Sequence, residues 1–297
     1  MSSNLSRRSV LKGILAGTVA MGIPARFSDF GLSTNEDEST LDLLKGNINH
    51  SVARWCFNDI DLDTLCNEAK KIGIKAIDLV GPKEWPILKK YGLDSAMCNG
   101  AEINLVDGFN DIEFHEILVK NYTEMIPLVA TAGFKNLICF SGNKRSKTDE
   151  EGLNNCVIGL QKLIPIAEKH GVVLVMELLN SKINHPDYQC DTTPWGVELA
   201  KRLNSEHFKL LYDIYHMQID EGDVIRTIRD NHNYIAHYHT AGVPGRNEID
   251  DTQELNYGAI MKAIHETGFK GYVAQEFIPK NQNKLESLKK AIAICDI

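Results

Sequence analysis

Between Gly171 and Phe277 four short apolar runs each end in a residue able to bind a metal: VVLVME in Glu177, FKLLYD in Asp213, YIAHYH in His239 and YVAQE in Glu276. The separations, 213 − 177, 239 − 213 and 276 − 239, are 36, 26 and 37 residues. A strand, its crossover helix and the return to a parallel neighbour take roughly 30 residues or more, so each interval fits one such unit. One acid or imidazole at a strand end is ordinary. Four in succession at this repeat suggest a single shared site at the mouth of a barrel, where strand ends converge.

The alternation extends along the whole chain. Strands are predicted at Ile48–Phe57, Ile74–Val80, Leu93–Cys98, Asn136–Phe140, Val172–Glu177, Phe208–Asp213, Ile235–His239 and Gly271–Glu276. Between them fall helical spacings, among them Asp61–Ile72, Glu113–Ala132, Asp149–His170, Thr193–Leu203, Asp223–Asn231 and Tyr257–Thr267, with a last helix at Ser287–Ile297. Eight units in about 250 residues predict an α/β fold, a (β/α)8 TIM barrel in a single domain over residues 46–297. A doubly wound sheet would call for a Gly-rich phosphate turn, and neither GxGxxG nor GxxxxGK[ST] occurs. Two long polar loops, at 99–111 and 180–191, interrupt the pattern, and long loops in compact domains often serve function.

The N-terminal stretch reads differently. Ser6-Arg7-Arg8-Ser9-Val10-Leu11-Lys12 precedes a mild apolar run, Gly13–Ala25, too short for a stable membrane span. Adjacent arginines before such a run look like a twin-arginine export signal, which predicts a signal segment at 1–26, a polar linker at 27–45 and an exported, periplasmic protein. Seven scattered cysteines without a CxxC argue for buried thiols, not a disulfide framework or zinc knuckle. The net charge of −8 disfavours nucleic acid as a partner.

If Glu177, Asp213, His239 and Glu276 converge, three carboxylates and one imidazole make a mostly hard oxygen site. One divalent metal ion is expected, Mg or Mn by preference, with Co or Zn also accommodated by the imidazole. Taken singly, each acid is more often an exposed or paired residue; taken together, three like charges repel strongly without a cation between them. His216, three residues after Asp213, is assigned to substrate contact. Arg246, after the seventh strand, is a candidate for a substrate carboxylate or hydroxyls, the alternative being a surface arginine paired with Glu248 or Asp250. Asn180 and Lys182 are weaker substrate candidates. Trp55 and Trp85 are candidates for an apolar pocket wall, with a core role at least as common. His237 and His239 are expected on opposite faces of their strand, with His239, nearer the strand end, facing the site. His50 and His115 are assigned structural or peripheral places.

Three stretches, Tyr212-Asp213-Ile214-Tyr215-His216-Met217-Gln218, then His237 to Glu248, then Ala274-Gln275-Glu276-Phe277, resemble the xylose-isomerase-like barrel superfamily, most of all the hydroxypyruvate isomerase family. The resemblance implies metal ligands at Glu177, Asp213, His239 and Glu276, with Glu177 and Glu276 doubling as an acid/base pair. It implies proton transfer between neighbouring carbons of a hydroxy-carbonyl compound or sugar through a cis-enediolate, and a homo-oligomer, commonly a dimer or tetramer. The position of His239 typically holds Gln in hydroxypyruvate isomerases and is more like the ketose 3-epimerases. The further Glu that those epimerases carry six residues after the first catalytic Glu is here Ile183.

The leading expectation is therefore a divalent-metal-dependent isomerase or epimerase of a small sugar or hydroxy acid. An endonuclease IV-like metal nuclease would call for more histidine ligands and a basic surface. A non-catalytic sugar-binding barrel would have no reason to gather three carboxylates around a metal.

Overall fold

The computed structural model describes residues 44–297. The expected signal segment at 1–26, and the expected linker up to residue 43, lie outside the described residues. Leu44 already packs against the core, and the Lys45 amide donates to the Asp296 carboxylate at 3.0 Å. Eight parallel strands then close into a barrel in sequence order. They are β1 (Asn49–Ala53), β2 (Ala76–Val80), β3 (Asp94–Cys98), β4 (Asn136–Cys139), β5 (Val173–Glu177), β6 (Phe208–Asp213), β7 (Ile235–Thr240) and β8 (Tyr272–Gln275). The helices are α1 (Leu62–Ile72), α2 (Trp85–Tyr91), α3 (His115–Thr131), α4 (Asp149–Leu160), α5 (Ile164–His170), α6 (Thr193–Leu203), α7 (Ile214–Asp220), α8 (Val224–Asn231), α9 (Tyr257–Glu266) and α10 (Lys284–Cys295).

Local chemistry sets these boundaries. In α1 the residues Leu62, Leu65, Cys66 and Ala69 share the buried face. Its first turn is capped by the Asp61 carboxylate on the Thr64 amide at 3.2 Å, and Gly73 ends it in a left-handed conformation. A Thr148–Glu151 capping box starts α4. The strands are buried on both faces, β5 entirely so, as parallel strands sheathed by helices require.

Four expectations need correction. The single helix expected over Asp149–His170 is two, α4 and α5, because Pro165 has no amide proton and its ring collides with the carbonyl four residues back. The first strand is shorter than Ile48–Phe57: residues Arg54–Phe57 coil into a 3-10 turn, which carries Trp55 to the mouth. Between β6 and Asp223 the chain forms α7, starting directly after Asp213. And His237 and His239 face the same way. Side chains two apart on a strand share a face, and both imidazoles lie against Asp78, with ring centroids 5.1 Å apart.

β2 carries a local defect that bears on the site. Its register with β3 skips Leu79 between Asp78 and Val80, and Leu79 adopts a φ of 58°, in the left-handed region. A leucine there carries backbone strain on the order of 1–3 kcal/mol. The bulge lets consecutive side chains serve one side: Asp78 reaches the histidines of β7 while Leu79 lines the mouth.

The loop at 99–111 is clasped onto the end of β4. The Phe109 and Asn110 amides donate to the Phe140 and Ser141 carbonyls at 3.1 and 2.8 Å. At the crossing Gly108 and Gly142 touch backbone to backbone, and Gly142 has a φ of 86°. Any Cβ on Gly142 would meet the Gly108 backbone and sit in a conformation that L-residues avoid. Gly142→Ala is therefore expected to destabilise the protein by about 2 kcal/mol or more, read as a lower urea midpoint; an unchanged midpoint would contradict the clasp.

Candidate active site

Four side chains meet at the C-terminal mouth. Glu177 ends β5, Asp213 ends β6, His239 is the penultimate residue of β7 and Glu276 directly follows β8. Ladder pairs Asp213↔His239 and His239↔Ala274 set three of these strand ends level. Each residue offers a ligand atom within 4.8 Å of all the others, and all four are buried. At the centre is His239 Nδ1, 3.1 Å from Glu177 Oε1, 2.8 Å from Glu276 Oε2 and 4.0 Å from Asp213 Oδ2.

Surrounding groups aim these atoms. Asp213 is both the last strand residue and the cap of α7: its Oδ1 accepts from the His216 amide at 3.2 Å, which leaves Oδ2 for the centre. Glu276 is gripped at both oxygens, Oε1 by the Trp55 indole N–H at 2.7 Å and Oε2 by the Arg246 guanidinium. The same guanidinium lies 3.3 Å from Asp213 Oδ2, between the rings of Trp55 and Tyr215 at 5.1 and 5.5 Å. Arg246 thus belongs to the centre. Glu248 holds the chain before α10 instead, accepting from the Lys280 and Asn281 amides at 2.8 and 3.1 Å.

Burial and charge divide the protons among these groups. Burial pushes Asp213 up to about 7, against the pull of Arg246. Glu177 is likewise raised by burial, against the His239 hydrogen bond. Burial would also raise Glu276, but Arg246 and His239 hold it well below the usual carboxylate range. Burial would depress His239, yet Glu276, with hydrogen bonds to Asp78, Glu177 and Glu276, pushes it well above the ordinary imidazole value. Three acids and one imidazole thus converge beside the Arg246 guanidinium, and a hard divalent cation suits that donor set.

Sequence patterning missed Asp78, which backs the centre. Its Oδ2 accepts from His239 Nε2 at 2.8 Å, turning Nδ1 toward the carboxylates. Its Oδ1 lies 3.1 Å from His237 Nε2, close enough to attract though not aligned as a hydrogen bond. An outer carboxylate holding a histidine ligand in this way fixes both tautomer and ring orientation. The only signal was an aspartate inside the apolar run AIDLV.

The remaining candidates separate. His216 packs beside Asp213, its Nδ1 2.5 Å from Asn180 Nδ2, and its imidazole is held well below the usual range by burial and by Arg246. Asn180 Oδ1 caps the Ile183 and Asn184 amides, so it organises the loop. Lys182 is not brought to the centre; it donates to the Ile219 and Asp220 carbonyls at the end of α7. Trp85 is a core residue, its indole donating to the Val80 carbonyl. Ile183 is exposed. His50 and His115 are buried away from the centre, His115 against the Phe109 carbonyl. All seven cysteines are buried and free. No described helix is long and apolar enough to cross a membrane.

A cavity of about 530 Å3 opens over the centre, lined by Trp55, Glu177, His185, Arg246 and Glu276 on one side of the chemistry and by mostly apolar residues elsewhere. Of the four central residues, Glu177 and Glu276 line this cavity, and Asp213 and His239 do not.

Fold and centre together define a (β/α)8 barrel with a buried acid-rich mouth of the kind that holds a divalent cation. The chain belongs to the xylose isomerase-like TIM barrel family, which matches residues 66–295. It is 29% identical over 157 residues to a putative hydroxypyruvate isomerase of Xenopus laevis, covering 52% of this chain and 57% of that protein. The match thus spans little more than half the length of that relative. It is 24% identical over 246 residues to a 2-oxo-tetronate isomerase of Pectobacterium atrosepticum, covering 77% of this chain and 90% of that one. A solved AP endonuclease, family 2, from Brucella melitensis shares the fold with a TM-score of 0.72 at 23% identity, over 81% of this chain and 97% of that one.

Proposed function

We propose that this protein is a divalent-metal-dependent isomerase or epimerase of a hydroxy-carbonyl compound, with Glu177 and Glu276 as its acid/base pair. One observation carries the reading. Two of the four converging side chains, both glutamates, line the cavity, while the aspartate and the imidazole do not. Four ligands used only to hold an ion would not need that division. Proton transfer between neighbouring carbons needs two carboxyl groups within reach of the substrate, one to remove the α-proton and one to return it.

The residues that would hold the ion are Glu177, Asp213, His239 and Glu276, and when bound it would polarise the carbonyl and hydroxyl oxygens of the substrate. Glu276 is positioned for proton removal: the Trp55 indole and Arg246 fix its orientation from two sides. Glu177, on β5, takes the other role across the same opening. Arg246 places a fixed positive charge beside the cavity, where the developing enediolate charge lies. His185 lines the same opening. His216 supports Asp213 from behind. The names of the relatives, hydroxypyruvate isomerase and 2-oxo-tetronate isomerase, agree with this chemistry.

Purified protein stripped with chelator and reloaded is expected to bind about one divalent ion per chain and, loaded, to exchange the α-proton of a hydroxy-carbonyl substrate with D2O. Elemental analysis and proton NMR measure the two. Stoichiometric binding without exchange across a panel of ketoses and hydroxy acids would sink the isomerase reading.

A further inference from the structure

Shifting a carbonyl to the neighbouring carbon displaces two protons, not one. A proton leaves one carbon and a proton arrives on the other, the role given above to the two glutamates. The hydroxyl oxygen must also lose its proton, and the former carbonyl oxygen must gain one. Inverting a stereocentre needs no such exchange, because both oxygens end as they began. A further group in the cavity that takes and gives protons near neutral pH therefore separates the two reactions.

The cavity lining holds one imidazole, that of His185. Arg246 keeps its charge at any ordinary pH, and amide side chains neither lose nor gain protons there. Glu102 lines the cavity but is tied to its own loop, where it accepts from the Gly100 amide at 2.8 Å. His216 does not line it.

The loop after β5 is built to hold the His185 ring. At its start the Asn180 carbonyl accepts from the His185 amide at 3.0 Å, while Asn180 Oδ1 caps the Ile183 and Asn184 amides. Its far end is clasped to the chain after β4. The Gln189 amide donates to the Gly142 carbonyl at 2.9 Å, and the Lys144 amide to the Asp187 carbonyl at 2.7 Å. His185 lies between these anchors, its ring packed beside that of His216 with centroids 5.2 Å apart. Among the described residues the imidazole has no hydrogen-bond partner, so both nitrogens are available to a guest in the cavity. Burial, with the Arg246 charge, holds it below the ordinary imidazole value, so at neutral pH the ring is uncharged and has one bare nitrogen.

We propose that His185 carries a proton between the two substrate oxygens, and that the site therefore isomerises its substrate and does not epimerise it. The inference rests on the reading of Glu177 and Glu276 as the acid/base pair and deepens it. As the α C–H bond breaks, its electron pair forms the C=C bond of the enediolate and the carbonyl π pair moves onto oxygen. The bare His185 nitrogen takes the hydroxyl proton, and the resulting imidazolium gives it to the other oxygen. The deprotonated oxygen then forms the new carbonyl while the C=C pair takes the proton returned by the second glutamate. The ring ends uncharged, as it began.

The test uses metal-loaded full-length protein in D2O with hydroxypyruvate, erythrulose, fructose and tagatose. Proton NMR follows α-proton exchange and product in the same sample. The unaltered protein is expected to convert the compound it exchanges fastest to the carbonyl-shifted isomer. Two variants are compared with it. His185→Gln keeps a hydrogen-bonding side chain, and His185→Phe keeps a ring against His216. Both are expected to lower conversion by about 10²-fold or more. Exchange falls far less, because the enediolate still forms and collapses back to substrate, so the ratio of exchange to conversion rises at least about tenfold. A merely structural role would lower both rates together and leave that ratio unchanged. Thermal unfolding verifies the fold of each variant, and either one alone carries the comparison. An unchanged ratio, or a product that is only the epimer, overturns the role of His185 while leaving the two glutamates in theirs. Absence of exchange with all four compounds overturns the acid/base reading, and this inference with it.

Discussion

Glu276→Gln is expected to leave the barrel folded and to lower exchange of the substrate α-proton with solvent by about 10²–10⁴-fold, the range that a positioned acid or base contributes. The substitution keeps the shape of the side chain. A glutamine carbonyl can still accept from the Trp55 indole, which now donates to Oε1 at 2.7 Å. What disappears is the capacity to take a proton, together with the charge that Arg246 faces. Arg246 would retain Asp213, at 3.3 Å, so the buried guanidinium is not stranded and the fold survives. Because Glu276 also stands among the proposed ion-holding residues, the measurement belongs at saturating metal, with bound metal quantified in the same sample. Full exchange by a metal-loaded Glu276→Gln protein would remove Glu276 from the proton-transfer pair.

The second large effect concerns a residue that does not reach the cavity. Asp78→Asn is expected to weaken divalent-metal binding by about 10–100-fold, the usual consequence of removing the outer partner of a histidine ligand. Asp78 now accepts from His239 at 2.8 Å on Oδ2, and its Oδ1 lies 3.1 Å from His237 Nε2, near enough for charge attraction. An asparagine has one accepting oxygen for two imidazoles. If its amide nitrogen meets His239 Nε2, the ring must carry its proton on Nδ1, the atom turned toward the three carboxylates. Competition with a chromophoric chelator measures the affinity, and thermal unfolding of the chelator-stripped protein separates a positioning role from a structural one. Unchanged affinity in a folded variant would show that His239 needs no such partner.

Part of the centre was legible in the sequence. Glu177, Asp213 and Glu276 stood out because each closes an apolar run, and in a parallel barrel such a position has only the mouth to face. Asp78 did not, because parallel strands are buried on both sides and carry no inward–outward alternation against which one polar residue can be placed. The bulge beside it hides the position further, since skipping Leu79 breaks the two-residue period that would locate its side chain. His237 was legible from that same period, which puts residues two apart on one face and contradicts the assignment of the pair to opposite faces. Lys182 lies two residues from Asn180 in the loop after β5, but α7 stands beside that loop and offers its last carbonyls to the amine. α7 itself, Ile214–Asp220, is too short to show a helical period, and its start is marked only by the aspartate cap. Arg246 could be placed in the right loop but not in the right contact, because its partners lie 30 and 33 residues away in sequence.

The skipped residue in β2 ties together two properties that could otherwise vary independently. Asp78 steadies the imidazole at the centre, and Leu79 forms part of the cavity lining. A regular strand would send one of the two outward. Any exchange of this strand between barrels, or any one-residue insertion or deletion that restores its pleat, would therefore alter the orientation of His239 and the shape of the cavity together. Remodelling the cavity is better directed at Ile103 and Leu105, on the clasped loop, where the backbone serves the cavity lining alone.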